Sequence, residues 1–68
     1  MRDWKAHVGG NIRRYRKEAA LTQEQLAEKA QIDFTYVSGI ETGKRNPSLM
    51  VMVRISEALG VELAQLVE

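Results

Sequence analysis

Sixty-eight residues, 44% hydrophobic and 28% charged with a net charge of +1, fit one small globular domain spanning 1–68. The chain has no cysteine, which excludes disulfides and thiolate metal sites, and its one histidine leaves metal-dependent hydrolysis almost without ligands. No apolar run approaches the ~20 residues needed to cross a bilayer, and the opening MRDWKAHVGG lacks the apolar core of a secretion signal, so a cytoplasmic, membrane-free protein is expected.

Trp4, Val8, Ile12, Tyr15 and Ala19 step at helical spacing and predict a first helix over about 4–19, with these residues inward. Gly9 and Gly10 each weaken it by up to ~1 kcal/mol relative to alanine, so its first two turns are expected to fray. His7 reads as a plain helix residue, not a ligand. Thr22 and Gln25 form a capping box that opens a second helix over about 23–30, with Leu26, Ala27 and Ala30 on one face. The small Ala27 lets another helix cross close by, and Ile32 can plug the angle between them. Asp33 caps a third helix over about 34–42, which Gly43 ends. Val37 and Ile40 point inward from it; Phe34, Thr35, Ser38 and Gly39 point outward.

Asn46-Pro47 cannot continue a helix, and Ser48 is placed to cap a fourth one whose inner stripe is Leu49, Met52, Ile55, Ser56 and Leu59. Gly60 ends it. Val61, Leu63 and Leu66 predict a short fifth helix over about 62–67. The expectation is an all-α, five-helix fold with no strand, repeat or linker. Two short helices crossing through a tight turn, the second exposing a polar and aromatic face, make a helix-turn-helix.

The charges are unevenly spread. Residues 1–20 carry six basic groups against two acids, residues 21–42 sum to −3, and Lys44 with Arg45 adds +2. The basic groups lie in helix 1 and just after helix 3, where a polyanion could meet both. Met50, Val51 and Val67 lie at or beyond the edge of the inner stripes, as a partner surface would. Ser38 and Ser56 have no His-Asp constellation in range, so no catalytic residue is assigned.

The pattern LTQEQLAEKA…YVSGIETGKRNPSL…ISEALGVELAQL over residues 21–66, preceded by IRRYRKEA, resembles the Cro/C1-type (XRE-like) helix-turn-helix family, with its compact five-helix, lambda-repressor-like domain. The segment DFTYVSGIETGKRNPS is also similar to the small controller proteins of restriction–modification systems. The resemblance implies a non-enzymatic transcription regulator that binds near-palindromic double-stranded DNA as a homodimer, with helix 3 in the major groove and no cofactor or small-molecule ligand. It implies base reading by Phe34, Thr35, Ser38 and Gly39. It implies phosphate contacts from Gln23, Tyr36, Lys44, Arg45 and Asn46. It implies a structural salt bridge between Arg16 and Glu41. Met50, Val51, Leu63 and Val67 are the expected dimer interface.

Three departures from the family pattern stand out. Gln31 occupies the inter-helix turn where glycine is usual, at a cost of roughly 1 kcal/mol if its φ is positive. Gly39 offers no side chain where some relatives carry a base-reading glutamine. Phe34 stands where controller-type relatives often have arginine, so it can touch a thymine methyl or a sugar but cannot fork onto guanine. Two other readings stand beside DNA regulation: an antitoxin-like module whose main partner is a protein, and a protein-interaction domain that has lost DNA binding. The neighbouring gene discriminates the first, and a salt-dependent gel shift of generic duplex discriminates the second.

Overall fold

The computed structural model describes residues 3–68, and four α-helices and one 3₁₀ turn account for its regular structure. Every α-helix starts on a polar side chain that satisfies otherwise unpaired N–H groups. For α1 (Trp4–Glu18) this is Asp3, which accepts from Lys5 at 3.1 Å and Ala6 at 3.3 Å. For α2 (Gln23–Ala30) the capping box is complete: Gln25 N–H donates to Thr22 Oγ1 at 3.0 Å and Thr22 N–H to Gln25 Oε1 at 2.8 Å. Asp33 caps α3 (Phe34–Glu41), and Ser48 caps α4 (Leu49–Leu59) by accepting from Val51 N–H at 3.2 Å. The last element is a 3₁₀ turn at Leu63–Leu66, where the sequence suggests a helix over 62–67. The turn is opened by Glu62, whose backbone N–H donates to Gln65 Oε1 at 2.8 Å, and its i→i+3 bonding is tighter than an α-helix.

The core is Val8, Ile12, Leu26, Ala27, Ala30, Val37, Ile40, Ile55 and Leu66, with contributions from all five elements. Helix α1 packs chiefly on α3, α2 lies against both α3 and α4, and the 3₁₀ turn closes against α4 and α1. The turn between α2 and α3 keeps the left-handed geometry that glycine would adopt. Gln31 sits at φ 57°, ψ 47°, and Ile32 N–H reaches back to the Ala27 carbonyl at 3.0 Å. The backbone bond and the burial of Ala27 and Ala30 outweigh a penalty of about 1 kcal/mol for a side chain there.

Four sequence expectations need correction. Trp4 is 55% exposed and Ala19 is exposed, so the inner stripe of α1 runs only through Val8, Ile12 and the half-buried Tyr15. Leu49 is 65% exposed, because α4 turns Val51, Met52, Ile55, Ala58 and Leu59 to the core and its first residue projects past the edge. Val51 and Leu63 are half-buried against that same core and are not free surface. Gly9 does not mark a frayed end: it is buried where α1 crosses α3, and a Cβ there would collide with the Ile40 carbonyl oxygen. The helical conformation of Gly9 costs propensity, but its missing side chain sets the α1–α3 distance.

The two neighbouring glycines should therefore respond oppositely to alanine. Gly10 faces open space, so Gly10→Ala should stabilise by up to ~1 kcal/mol through helix propensity. Gly9→Ala should destabilise by about 1–3 kcal/mol through overpacking against α3. Urea denaturation of both variants checks this, and a shift of both midpoints in the same direction would contradict the close-approach role of Gly9.

Candidate nucleic-acid interface

The position of α3 is set by a buried ion pair. Arg16, in the last turn of α1, forks onto Glu41, the last residue of α3, with Nε–Oε2 at 2.7 Å and Nη2–Oε1 at 2.9 Å. The side chains are 10% and 1% exposed. Two further bonds support the pair: Arg16 Nη1 donates to the Leu21 carbonyl at 2.8 Å, and Gln23 Nε2 donates to Glu41 Oε1 at 3.1 Å. One charged cluster thus joins the end of α1, the loop after it, the start of α2 and the end of α3. Gln23, assigned by resemblance to a phosphate, points its amide nitrogen at Glu41; its amide oxygen and second N–H remain available at the half-buried N-terminus of α2.

The outer face of α3 carries the residues singled out for base reading. Phe34 is 45% exposed, Thr35 is exposed, and Ser38 and Gly39 are half-buried. Gly39 is not a gap. The aliphatic stem of Arg45 lies across it, so that a Cβ at Gly39 would come within 2.6 Å of Arg45 Cγ. The Gly39 carbonyl also accepts from the N–H groups of Lys44 at 2.9 Å and Arg45 at 3.0 Å. The basic turn is therefore folded back onto α3, which brings exposed Lys44, Arg45 and Asn46 beside the helix.

Tyr36 joins the same edge. The Arg45 guanidinium carbon lies 5.4 Å from the Tyr36 ring centroid, and the Tyr36 hydroxyl oxygen accepts from Ser48 N–H at 3.4 Å. That leaves the phenolic proton free to donate to an external acceptor. At the front of α3, Asp33 Oδ1 accepts both the Thr35 N–H at 2.8 Å and the Thr35 hydroxyl at 2.6 Å. The Thr35 hydroxyl, then its N–H, hold the Asp33 carboxyl below the usual carboxylate range against an opposing effect of desolvation, with a lesser contribution from the Arg45 charge. The carboxylate is therefore ionised at neutral pH. Its capping contribution is complete above the ordinary carboxylate range and is lost as pH falls through the lowered value.

Residues assigned to the partner surface divide. Met50 is 62% exposed and Val67 41% exposed, whereas Val51 and Leu63 pack partly on their own core. Leu49, which periodicity assigns to the core, belongs with Met50 on the outside. Helix α1 presents Arg13, Arg14 and Lys17 to solvent, with the Arg14 guanidinium 4.7 Å from the Tyr15 ring centroid. His7 Nε2 lies 2.7 Å from the Glu68 carbonyl oxygen, and Asn11 Nδ2 donates to the Leu66 carbonyl at 3.0 Å. These contacts tie the chain's last residues to α1. Among the described residues no group of His, Cys, Asp and Glu is placed to hold a metal, and no helix is long and apolar enough to cross a membrane.

Two short helices joined by a left-handed turn, the second exposing a polar face beside a basic loop, define a helix-turn-helix unit. The helix-turn-helix family profile matches residues 12–66, and the chain belongs to that family. It is 43% identical over 67 residues to the control protein C.MunI of a Mycoplasma species, covering 97% of this chain and 90% of that protein. It is 43% identical over 60 residues to the immunity repressor protein of Bacillus phage phi105, covering 88% of this chain and 42% of the repressor. Among solved structures, the restriction-modification controller protein C.AhdI from Aeromonas hydrophila superposes with a TM-score of 0.89 at 35% identity, covering 91% of this chain and 94% of that one.

The geometry makes a clear demand on the ion pair. Arg16→Ala strands the 1%-exposed Glu41 carboxylate and should cost about 3–5 kcal/mol. Arg16→Met with Glu41→Leu, which removes both charges, should recover most of that loss. Thermal melts of the three proteins check it; an Arg16→Ala protein that melts at the wild-type temperature would contradict it.

Proposed function

We propose that this chain is a cytoplasmic transcription regulator that binds double-stranded DNA sequence-specifically, with α3 in the major groove, and that it acts as a homodimer on near-palindromic operators. The observation that carries the proposal is the tie between α3 and the basic turn. The Gly39 carbonyl holds the Lys44 and Arg45 backbone, so cations suited to phosphates flank a helix face whose side chains suit base edges. A net charge of only +1 is compatible with this because Lys44 and Arg45 stand together, exposed, beside α3. The relatives above are named for control, immunity repression and restriction–modification control. That favours a regulator over an antitoxin-like module or a protein-interaction domain.

Geometry and chemistry support a role for each residue. Phe34, Thr35 and Ser38 face the bases. Gly39 lets the Arg45 stem lie close to the helix. Lys44, Arg45, Asn46, the Tyr36 phenolic proton and the free edge of the Gln23 amide meet phosphate oxygens. A single eight-residue α3 offers few base contacts, and two copies related by a two-fold axis double them at a fixed half-site spacing. Met50 and Val67, with Leu49 next to Met50, supply the exposed apolar surface for that pairing; Val51 and Leu63 support it from the core side. Selection of bound duplexes from a random pool tests the whole proposal. It should return a two-fold symmetric site, and a pool that shows no enriched sequence would overturn it.

Gripping and reading should separate in salt titrations. Arg45→Ala should weaken binding to the selected site and to random duplex alike. It should also reduce the slope of log K against log salt by about one unit. Thr35→Ala should leave the slope nearly unchanged and lower the ratio of specific to non-specific affinity, by less than the about 1–3 kcal/mol of a bidentate contact. The reverse pattern, with Thr35→Ala altering the slope and Arg45→Ala altering only sequence preference, would contradict the assignment of α3 as the reading helix.

A further inference from the structure

A threonine hydroxyl in the major groove ordinarily has no fixed polarity. It can donate to the O6 of guanine or the O4 of thymine, or accept from the amino groups of adenine or cytosine. In this chain that freedom is removed. The Thr35 hydroxyl lies 2.6 Å from Asp33 Oδ1, the same oxygen that caps the Thr35 N–H at 2.8 Å. A carboxylate can only accept, so the hydroxyl proton is committed to Asp33. What remains outward on Thr35 is a pair of oxygen lone pairs and a methyl group.

The neighbours reinforce the arrangement. A proton-sharing contact to a charged acceptor is stronger than a neutral one and is not surrendered easily to a base carbonyl. Asp33 is itself exposed at the front of α3, and its second carboxylate oxygen is another acceptor beside Thr35. Phe34, the other exposed residue at this end, contributes no hydrogen bond. The front of α3 thus presents acceptors and apolar surface and no side-chain donor from residues 33–35.

We propose that Thr35 is a one-way reader: its hydroxyl accepts a hydrogen bond from the exocyclic amine of adenine or cytosine and does not donate to guanine or thymine. This rests on the reading of the chain as a DNA-binding regulator and adds the chemical class of the base it contacts. Asp33 acts as the positioning residue, since it fixes the rotor without touching the base.

The test uses selected duplexes and base analogues. Selection is run with wild type and Thr35→Val, which keeps the shape and removes the hydroxyl; the position whose preference relaxes in the variant is the contacted one. At that position the wild type should require adenine or cytosine. Replacing that adenine by purine, or that cytosine by 2-pyrimidinone, deletes only the amine. The deletion should weaken wild-type binding about threefold to tenfold, as for one neutral hydrogen bond. Thr35→Ser, which keeps the hydroxyl, should show the same sensitivity, and Thr35→Val should show none. A relaxed position that is guanine or thymine overturns the inference and leaves DNA reading intact. So does a Thr35→Val protein that relaxes no position. A pool with no enriched sequence overturns the DNA-binding reading and this inference with it.

Discussion

The guanidinium–carboxylate fork between Arg16 and Glu41 is the constraint on which the geometry of α3 depends. It lies where three helices meet and is almost dry. Burying two charges costs several kcal/mol per ion before their attraction is counted, and such a pair is tolerated only if its remaining hydrogen-bonding groups are satisfied. Here Leu21 and Gln23 complete the set. An apolar replacement could match its stability but not its direction. The fork joins α1 to α3 through two parallel hydrogen bonds of defined geometry. Gly9 works in the same place by another means, since its missing side chain lets α1 approach the Ile40 carbonyl.

The fork ties the far end of α3 to α1, and Asp33 caps its near end. The basic turn is attached to that face through the Gly39 carbonyl and the Arg45 stem. The groups proposed to grip phosphates and those proposed to face bases are therefore held on one element. Preorganisation of this kind spares the ordering of long cationic side chains on binding. It also keeps Lys44 and Arg45 together beside α3, with the Arg45 guanidinium over the Tyr36 ring.

Much of this was legible in the sequence because it is local. The capping residues Thr22, Asp33 and Ser48 stand one residue before their helices, and the spacing of Leu26, Ala27, Ala30, Val37 and Ile40 places them on inner faces. What was not legible depends on where helices end relative to one another. Trp4 and Leu49 keep the inward phase of their helices yet overhang the core, which periodicity cannot detect. Gly9 reads as a weak helix residue until α3 is placed against it. Gln31 reads as a misfit, but the turn is held by the Ile32 N–H and by burial on both sides, and it keeps its left-handed form. In the site, the outward residues of α3 could be seen from spacing alone. The covering of Gly39 by Arg45 and the capture of the Thr35 proton by Asp33 could not, because each joins a side chain to a neighbour whose orientation only the folded backbone sets.

The most direct test of the account is a backbone amide NMR titration of the protein with a duplex carrying its selected site. The largest shifts are expected at Gln23, across Phe34–Gly39 and at Lys44–Asn46, with the buried amides of Ile12 and Ile55 nearly still. Shifts centred on Arg13, Arg14 and Lys17 of α1, with α3 and the basic turn silent, would contradict it.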